Sequence, residues 1–346
     1  MPDRLEEVFR ATTRDVEPDP GFFERQLSRQ RRAMRRRKVS TYVGVAALLV
    51  TVIGGIILLG GRAPSPTPIG QAMPLEPGLY RIDAATGAIL ATLPLPQGST
   101  DVDTSPNGAR LAFVDEDDRG IEQVFLADGD GTDPVVLTHD QAGATEPAWS
   151  ASGDQLAYVG FDDRGTRQIF VIDASGGGAQ QVTTGEKDAG SPSWGPDDGS
   201  ILFDTAQDRL RAIFGIDLTT HRTASIVRDA AFPQLSPNGE QLVFNTWSTV
   251  RVTIADADGS DRLQIGPPIG VGSWGGSWSP DGSVIAYEFT VDGTLYDRRS
   301  LEPGQIRLYD LATATTRVLI DGAIPEAWVS DQVLLVSVPG GTTIGP

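Results

Sequence analysis

A turn motif of the form Ser-Pro-x-Gly recurs at nearly constant spacing and constrains the fold of this chain more than any other feature. The copies and near-copies are Ser105-Pro-Asn-Gly108, Ser150-Ala-Ser-Gly153, Gly195-Pro-Asp-Asp198, Ser236-Pro-Asn-Gly239 and Ser279-Pro-Asp-Gly282. Their first residues lie 45, 45, 41 and 43 residues apart, and an alternating apolar run such as Leu111-Ala-Phe-Val114 follows each turn. A period near 43 with β-type alternation is typical of a propeller blade, whereas helical repeats would show a 3.6-residue period.

A second marker is an apolar strand that ends in aspartate before a hairpin turn. It occurs six times, at Asp83, Asp128, Asp173, Asp217, Asp256 and Asp310. A degenerate sixth copy of the first turn, Trp328-Val-Ser-Asp331, precedes the strand 333–338, and the early strands 79–82 and 88–93 have no turn of their own. We therefore expect the early strands to complete the last blade and close the ring, which would protect the sheet edges. The predicted fold is all-β, a six-bladed β-propeller of four-stranded blades.

The segments Pro147-Ala-Trp-Ser150, Pro192-Ser-Trp194 and Ser277-Trp-Ser-Pro-Asp-Gly282 carry a family pattern. They resemble the TolB-type, WD-like propeller repeat, and the resemblance covers residues 78 to about 338. It implies a six-bladed ring around a central channel, in a family that includes periplasmic protein-binding modules and propellers fused to serine peptidases. The motif is specific for fold and weak for function. The repeat tryptophans are therefore interpreted as structural: Trp149, Trp194, Trp278 and Trp328.

Residues 39–61 form a run of 23 residues without a charge, rich in Val, Leu, Ile, Ala and Gly. This length suits a transmembrane helix and exceeds the apolar core of a signal peptide, while a buried helix would need a helical domain around it. The basic cluster before it includes Arg35, Arg36, Arg37 and Lys38, which places the N-terminus in the cytoplasm. The predicted organisation is a basic cytoplasmic tail 1–38, a span 39–61, a Pro-rich stalk 62–77, a propeller 78–338 and a flexible tail 339–346.

The N-terminal tail shows weak helical signals. Apolar residues at helical spacing predict a short amphipathic helix over 3–15, and Asp19 followed by Pro20 favours the start of a second helix. Such a tail could dock a cytoplasmic regulatory partner, or it could be disordered or lie on the membrane surface. The expected tail is therefore a short segment that is either helical or disordered.

Charge and cysteine content exclude several function classes. Residues 1–62 carry 12 basic and 7 acidic side chains, whereas residues 63–346 carry 16 basic and 39 acidic ones, so the second part has a net charge of −23. A domain this acidic repels nucleic-acid phosphates, so no nucleic-acid partner is expected. The chain has no cysteine, which excludes disulfides, thiolate metal sites and a Cys/His zinc cluster.

No catalytic set is visible in the sequence. The two histidines, His139 and His221, fall in or beside predicted turns of different blades, and no G-x-S-x-G motif occurs. Clustered carboxylates after equivalent strands of two adjacent blades would suit Ca²⁺, although solvated loops would have the same composition. These candidate metal residues are Asp115, Glu116, Asp117, Asp118, Asp162 and Asp163. Otherwise no cofactor is expected.

The segment entering each repeat turn is expected to form the innermost strand, which would bring its residues to the mouth of the channel. The candidate ligand contacts are Asp101, Asp103, Glu146, Ser191, Phe232 and Glu326. An insertion over 290–304, with Tyr296, Arg298 and Arg299, is either a binding loop or an idle surface loop.

These features predict a single-pass protein of the cell membrane whose extracytoplasmic propeller binds or senses a protein, peptide or small ligand. It would not be an enzyme. An anti-sigma-like regulator signalling through the tail is one version of this hypothesis. The alternatives are a metal-dependent hydrolase or lactonase in the channel, which needs carboxylates converging on a cation, and a structural envelope scaffold.

Overall fold

The computed structural model describes residues 76–96, 98–207, 210–265, 272–290 and 304–338. Among these residues, no helix is long and apolar enough to cross a bilayer. The predicted tail and span with the basic cluster 35–38, most of the stalk, the core of the insertion with Tyr296, Arg298 and Arg299, and the tail 339–346 lie outside the described residues.

The described chain forms six antiparallel sheets of four strands each, which confirms the predicted six-bladed propeller. In chain order the strands are β1 (Gly78–Asp83), β2 (Ile89–Leu93), β3 (Thr100–Thr104), β4 (Arg110–Glu116), β5 (Glu122–Asp128), β6 (Val135–Val136), β7 (Thr145–Trp149), β8 (Gln155–Phe161), β9 (Arg167–Asp173), β10 (Gln180–Gln181), β11 (Ala189–Trp194), β12 (Ser200–Gln207), β13 (Leu210–Asp217), β14 (Thr223–Arg228), β15 (Ala230–Leu235), β16 (Gln241–Thr246), β17 (Arg251–Asp256), β18 (Leu263–Gln264), β19 (Gly272–Trp278), β20 (Val284–Thr290), β21 (Gln305–Asp310), β22 (Thr315–Asp321), β23 (Ile324–Ser330) and β24 (Val333–Val338). Blade 1 is β3–β6, and blades 2 to 5 follow in groups of four up to β22.

The sixth blade joins the two ends of the propeller. Its strand order is β2-β1-β24-β23, so β1 pairs with β2 on one side and with β24 on the other. The register of the second pair runs from Gly78 opposite Val338 to Asp83 opposite Val333. The prediction that the early strands complete the last blade is therefore confirmed. Because β1 is paired on both sides, it is not left as an edge strand.

The core lies between the blades. Alternation of side chains along each second strand places residues such as Leu111, Phe113 and Tyr158 in fully buried positions between neighbouring sheets. In blades 3 and 5 the tryptophan at the end of the innermost strand adds a hydrogen bond to the preceding blade. Trp194 Nε1 donates to the Ala148 carbonyl at 3.0 Å, and Trp278 Nε1 donates to the Gln234 carbonyl at 3.2 Å. All four repeat tryptophans are buried, with exposed fractions of 7 or 8%.

The repeat turns use glycine where the backbone enters the left-handed region. Gly108 has φ of 67° and Gly282 has φ of 74°, and in both turns the serine hydroxyl accepts a hydrogen bond from the amide five residues later. Blade 3 has Asp198 at this position with φ of 57°. Its carboxylate accepts hydrogen bonds from the amides of Ala151 and Ser152 in the blade 2 turn, which offsets the unfavourable backbone conformation.

Candidate functional site

The six innermost strands contact each other in succession around the ring, from β3 through to β23 and back to β3. Each of them contains a bulge where its pairing with the second strand shifts, for example between Thr100 and Asp103 in β3. At this bulge four blades place a residue with a left-handed backbone. A non-glycine residue rarely adopts this conformation, and such residues cluster at functional sites.

The four left-handed residues are Asp101, Glu146, Ser191 and Phe232, with φ of 53°, 53°, 52° and 55°. All four are candidate ligand contacts predicted from the sequence. The structure therefore brings them to equivalent positions at one end of the channel, which is the end that carries the loops between second and third strands. We call it the bulge end, and the opposite end, with the Ser-Pro-x-Gly turns, the turn end.

A series of carboxylate-to-amide hydrogen bonds connects the bulges of neighbouring blades. The Glu146 amide donates to Asp101 Oδ2 at 3.3 Å, and the Ser191 amide donates to Glu146 Oε2 at 2.6 Å. Serine is too short to continue the series, and the Phe232 amide instead donates to Oδ2 of Asp204, on the second strand of blade 3, at 2.8 Å. Bonds to an ionised acceptor are the stronger class of hydrogen bond, so the series stabilises the strained bulges.

Two arginines complete this network. Arg167 pairs with Glu146, and Arg211 contacts Asp204 through Nη2 and through Nε at 2.8 Å. Asp204 is fully buried, and burial raises its pKa while the Arg211 charge opposes that rise. A Cβ on Gly190 would lie 3.3 Å from Arg211 Nη2 and 3.4 Å from Glu146 Oε2, so the glycine provides the space in which the charges meet.

Asp103 lies two residues beyond the bulge of blade 1. Its Oδ2 accepts a hydrogen bond from the Trp149 amide at 2.8 Å, and its Oδ1 accepts one from the Thr104 amide. Burial raises the pKa of Asp103 to about 6, although both amide bonds favour the ionised form. This carboxyl group therefore changes charge close to neutral pH.

Blades 5 and 6 contribute a pair of acidic residues. Glu326, another predicted contact, accepts a hydrogen bond from the Ser337 hydroxyl at 2.6 Å. Glu288 is buried, and its Oε1 accepts a hydrogen bond from the Gly304 amide at 2.9 Å. Burial raises the pKa of Glu288, and the nearby charge of Glu326 raises it further.

Sequence reasoning missed Asp204, Glu288, Arg167 and Arg211, because all four lie on second or third strands and not on the innermost strand. A signal for the two acids was present in the repeat. Asp204 follows Ile201-Leu-Phe and Glu288 follows Ile285-Ala-Tyr, where blades 1 and 2 have Val114 and Val159. A carboxylate is costly to bury at a position that is apolar in other repeats, so its presence there indicates a role other than core packing.

The candidate metal residues lie in or next to two similar hairpin turns at the bulge end. Asp117 accepts hydrogen bonds from the amides of Arg119 and Ile121, and Asp162 accepts them from the amides of Arg164 and Thr166. Asp115 accepts a hydrogen bond from the Ser99 hydroxyl. In the described part of the chain, no three His, Asp or Glu side chains converge as metal ligands. Calcium binding therefore stays a prediction for the candidate metal residues Asp115, Glu116, Asp117, Asp118, Asp162 and Asp163. Both histidines, His139 and His221, are exposed.

The fold and the site together define a six-bladed propeller with a strongly acidic channel end. A family model described as the TolB beta propeller domain matches residues 77–271, which is more than half of the chain. The chain belongs to the TolB β-propeller family. A search of curated protein sequences gives no match.

Solved structures show the same fold at low sequence identity. One assigned as TolB from Agrobacterium tumefaciens is 17% identical, with a TM-score of 0.63, and the match covers 78% of this chain and 100% of that one. TolB from Acinetobacter baumannii is 18% identical, with a TM-score of 0.53 and coverage of 68% and 65%. An oligogalacturonate lyase in complex with manganese is 19% identical, with a TM-score of 0.48 and coverage of 72% and 73%.

Proposed function

We propose that this protein is a binding module, held outside the cytoplasm by a membrane span over residues 39–61, whose bulge end receives a basic segment of a partner protein. The observation that supports it is the charge at this end of the channel. Five carboxylates lie on or beside the innermost strands there, and the two arginines of the network lie among them. The carboxylates are those of Asp101, Glu146, Asp204, Glu288 and Glu326. Such a field attracts cations and repels anions.

The backbone at this end is also suited to recognition. Strained bulges held by hydrogen bonds to neighbouring blades are preorganised, so a bound segment would not have to order them. Asp101, Glu146 and Glu326 are half-buried, which keeps their carboxylates within reach of the channel water. Lysine or arginine side chains entering the channel would find oxygen acceptors on several blades at once.

Peptide binding by the full-length chain in a mild detergent tests the proposal. A fluorescein-labelled Lys-rich octapeptide should bind, and a Glu-rich octapeptide of equal length should not, when fluorescence anisotropy is measured. Affinity should fall steeply between about 50 and about 300 mM salt, because exposed charge interactions are screened.

A matched pair of double variants locates the binding end. Asp101→Asn with Glu326→Gln should weaken the Lys-rich peptide by about tenfold, since two charge-assisted contacts at the bulge end are lost. Asp130→Asn with Asp258→Asn makes the same change of charge at exposed turns of the turn end, and should alter affinity less than about twofold. Equal weakening by both pairs, or binding of the Glu-rich peptide, would refute the proposed site.

The membrane placement has its own test. Replacing residues 39–61 with a soluble linker should release the protein from the membrane fraction. A reporter fused after residue 346 should be digested by protease added to intact cells, whereas one fused before residue 1 should be protected. Digestion of the N-terminal reporter alone would reverse the proposed orientation.

A further inference from the structure

The blades differ at one cross-strand position between their second and third strands. In blades 1, 2 and 3 two aromatic residues face each other there: Phe113 opposite Phe125, Tyr158 opposite Phe170 and Phe203 opposite Phe214. Their rings stack with centroids 5.6, 5.6 and 5.9 Å apart. In blade 5 the register places Tyr287 opposite Arg307. The third-strand ring is therefore missing from blade 5.

A pocket of about 440 Å³ lies beside this position, between the outer strand of blade 4 and blade 5. Its lining residues are Leu263, Gln264, Ile265, Tyr287, Arg307, Tyr309, Ala314 and Thr316. In blade 2 the corresponding third-strand residue, Phe170, packs against a core cluster that includes Leu137 of blade 1. The replacement of a ring by Arg307 leaves this space open, and its volume is in the range of small-molecule sites.

The Arg307 side chain is held at one side of the pocket. Its guanidinium lies 3.5 Å from the centroid of the Phe289 ring, and its Nε and Nη2 both donate to Gln305 Oε1. These contacts use one edge of the planar group and fix its orientation. The Nη1 amino group is the part of Arg307 that these contacts leave for a ligand.

Tyr287 supplies a second donor. Its side chain is fully buried, and within the described residues its Oη has no hydrogen-bond partner. Burial raises the pKa of Tyr287, whereas the nearby Thr316 hydroxyl and Arg307 guanidinium lower it, so all three groups lie close together at the pocket wall. A buried hydroxyl without a partner is costly, which a ligand acceptor would correct.

The equivalent residue of blade 2 provides the contrast. Tyr158 is also buried, but the Asp140 carboxylate lies within hydrogen-bonding reach of its hydroxyl. The Tyr158 hydroxyl therefore has a carboxylate acceptor, whereas the groups beside the Tyr287 hydroxyl are the Thr316 hydroxyl and the Arg307 guanidinium, and neither is an anion. Because the two tyrosines occupy the same place in the repeat, the difference points to a partner from outside the chain at Tyr287.

We propose that the pocket between blades 4 and 5 binds a small organic carboxylate with an apolar ring or alkyl body. The carboxylate oxygens would accept hydrogen bonds from Tyr287 Oη, Arg307 Nη1 and the Thr316 hydroxyl, which are all donors. The body would fill the space that a phenyl ring occupies in blades 1 to 3, against Leu263, Ile265 and Tyr309. This site is separate from the channel and does not depend on the function proposed for the bulge end.

Binding of 4-fluorobenzoate to the full-length chain in detergent, followed by ¹⁹F NMR, tests the site. The probe should bind saturably, and unlabelled benzoate should displace it far better than benzamide, which has the same shape without the charge. Tyr287→Phe should weaken binding by about tenfold while leaving the fold intact, because it removes one donor to a charged acceptor and a hydroxyl without a partner. Arg307→Phe, which introduces the ring that blades 1 to 3 have at this position, should abolish it.

Tyr158→Phe is the matched control, with the same atom removed in blade 2, and it should leave affinity for 4-fluorobenzoate unchanged. Circular dichroism melts establish that each variant is folded. Absence of saturable binding, equal affinity in Tyr287→Phe and wild type, or equal weakening by Tyr158→Phe would each overturn the site. Displacement by benzamide as good as by benzoate would overturn the assignment to a carboxylate.

Discussion

The two ends of the ring are built from the same strands, and they differ in how strictly the repeat is kept. At the turn end, serine, glycine and tryptophan recur in most blades, and the tryptophan indoles of blades 3, 5 and 6 donate to a carbonyl of the preceding blade. At the bulge end the equivalent positions hold aspartate, glutamate, serine and phenylalanine on one shared backbone geometry. Repetition therefore marks the end that holds the ring together, and variation marks the end where specific chemistry can be placed.

The largest expected effect comes from removing a tryptophan at the turn end. Trp194→Ala should lower the free energy of unfolding by about 3–5 kcal/mol, because it leaves a cavity between two blades and an unpaired Ala148 carbonyl. Trp247→Ala makes the same truncation at the bulge end, where the indole is half-exposed and stacks with Arg211, and should cost about 1 kcal/mol. Denaturant unfolding of both variants measures the difference, and equal losses would contradict the contrast between the ends.

A smaller loss is expected from the buried pair at the bulge end. Asp204→Ala should destabilise the protein by about 3 kcal/mol, because it leaves the Arg211 charge and the Phe232 amide without their acceptor. Asp204→Asn introduces the residue that blade 4 has at the equivalent position, Asn245, and keeps one acceptor oxygen. It should cost clearly less than Asp204→Ala in the same unfolding experiment. If the two variants were equally unstable, the hydrogen bond to the backbone would be irrelevant to stability.

The smallest effect is a pH dependence from Asp103. Its pKa rises from an ordinary value of 3.8 to about 6 in the folded protein, so the folded state holds a proton that the unfolded state has lost between these values. Wild type should therefore gain stability relative to Asp103→Asn as the pH falls from 7 to 4, by about 2 kcal/mol. Unfolding titrations of both proteins across this range give the difference, and a flat difference would show that Asp103 ionises normally.

Local rules were sufficient to predict the fold. The period near 43, the turn motif and the strand-ending aspartates fixed the blade number, and the lack of a turn for strands β1 and β2 led to ring closure. Each is read from the residues of one repeat or from the spacing between repeats. The same reasoning placed Asp101, Glu146, Ser191 and Phe232 together, because repeat position converts directly into position on the ring.

The rest of the site depends on contacts between blades, which a single sequence does not display. The pairing of Arg211 with Asp204 links two adjacent strands, and the bond from the Phe232 amide then joins blade 3 to blade 4. The exchange of a ring for Arg307 is readable in the sequence only once the cross-strand register is known. Structure was required for both, because the bond from the Phe232 amide spans 28 residues of sequence and the position of Arg307 opposite Tyr287 depends on the strand register.

The pairing of β1 with β24 also determines the order in which the protein can be completed. Gly78 pairs with Val338, so during synthesis the first hairpin is made long before its partner strand exists. Its open edge, with Leu79 and Tyr80 destined for burial, must stay unpaired until almost all of the propeller has emerged. Closure of the ring is then a late event of long contact order, and the nascent first hairpin is the segment that a chaperone would most need to protect.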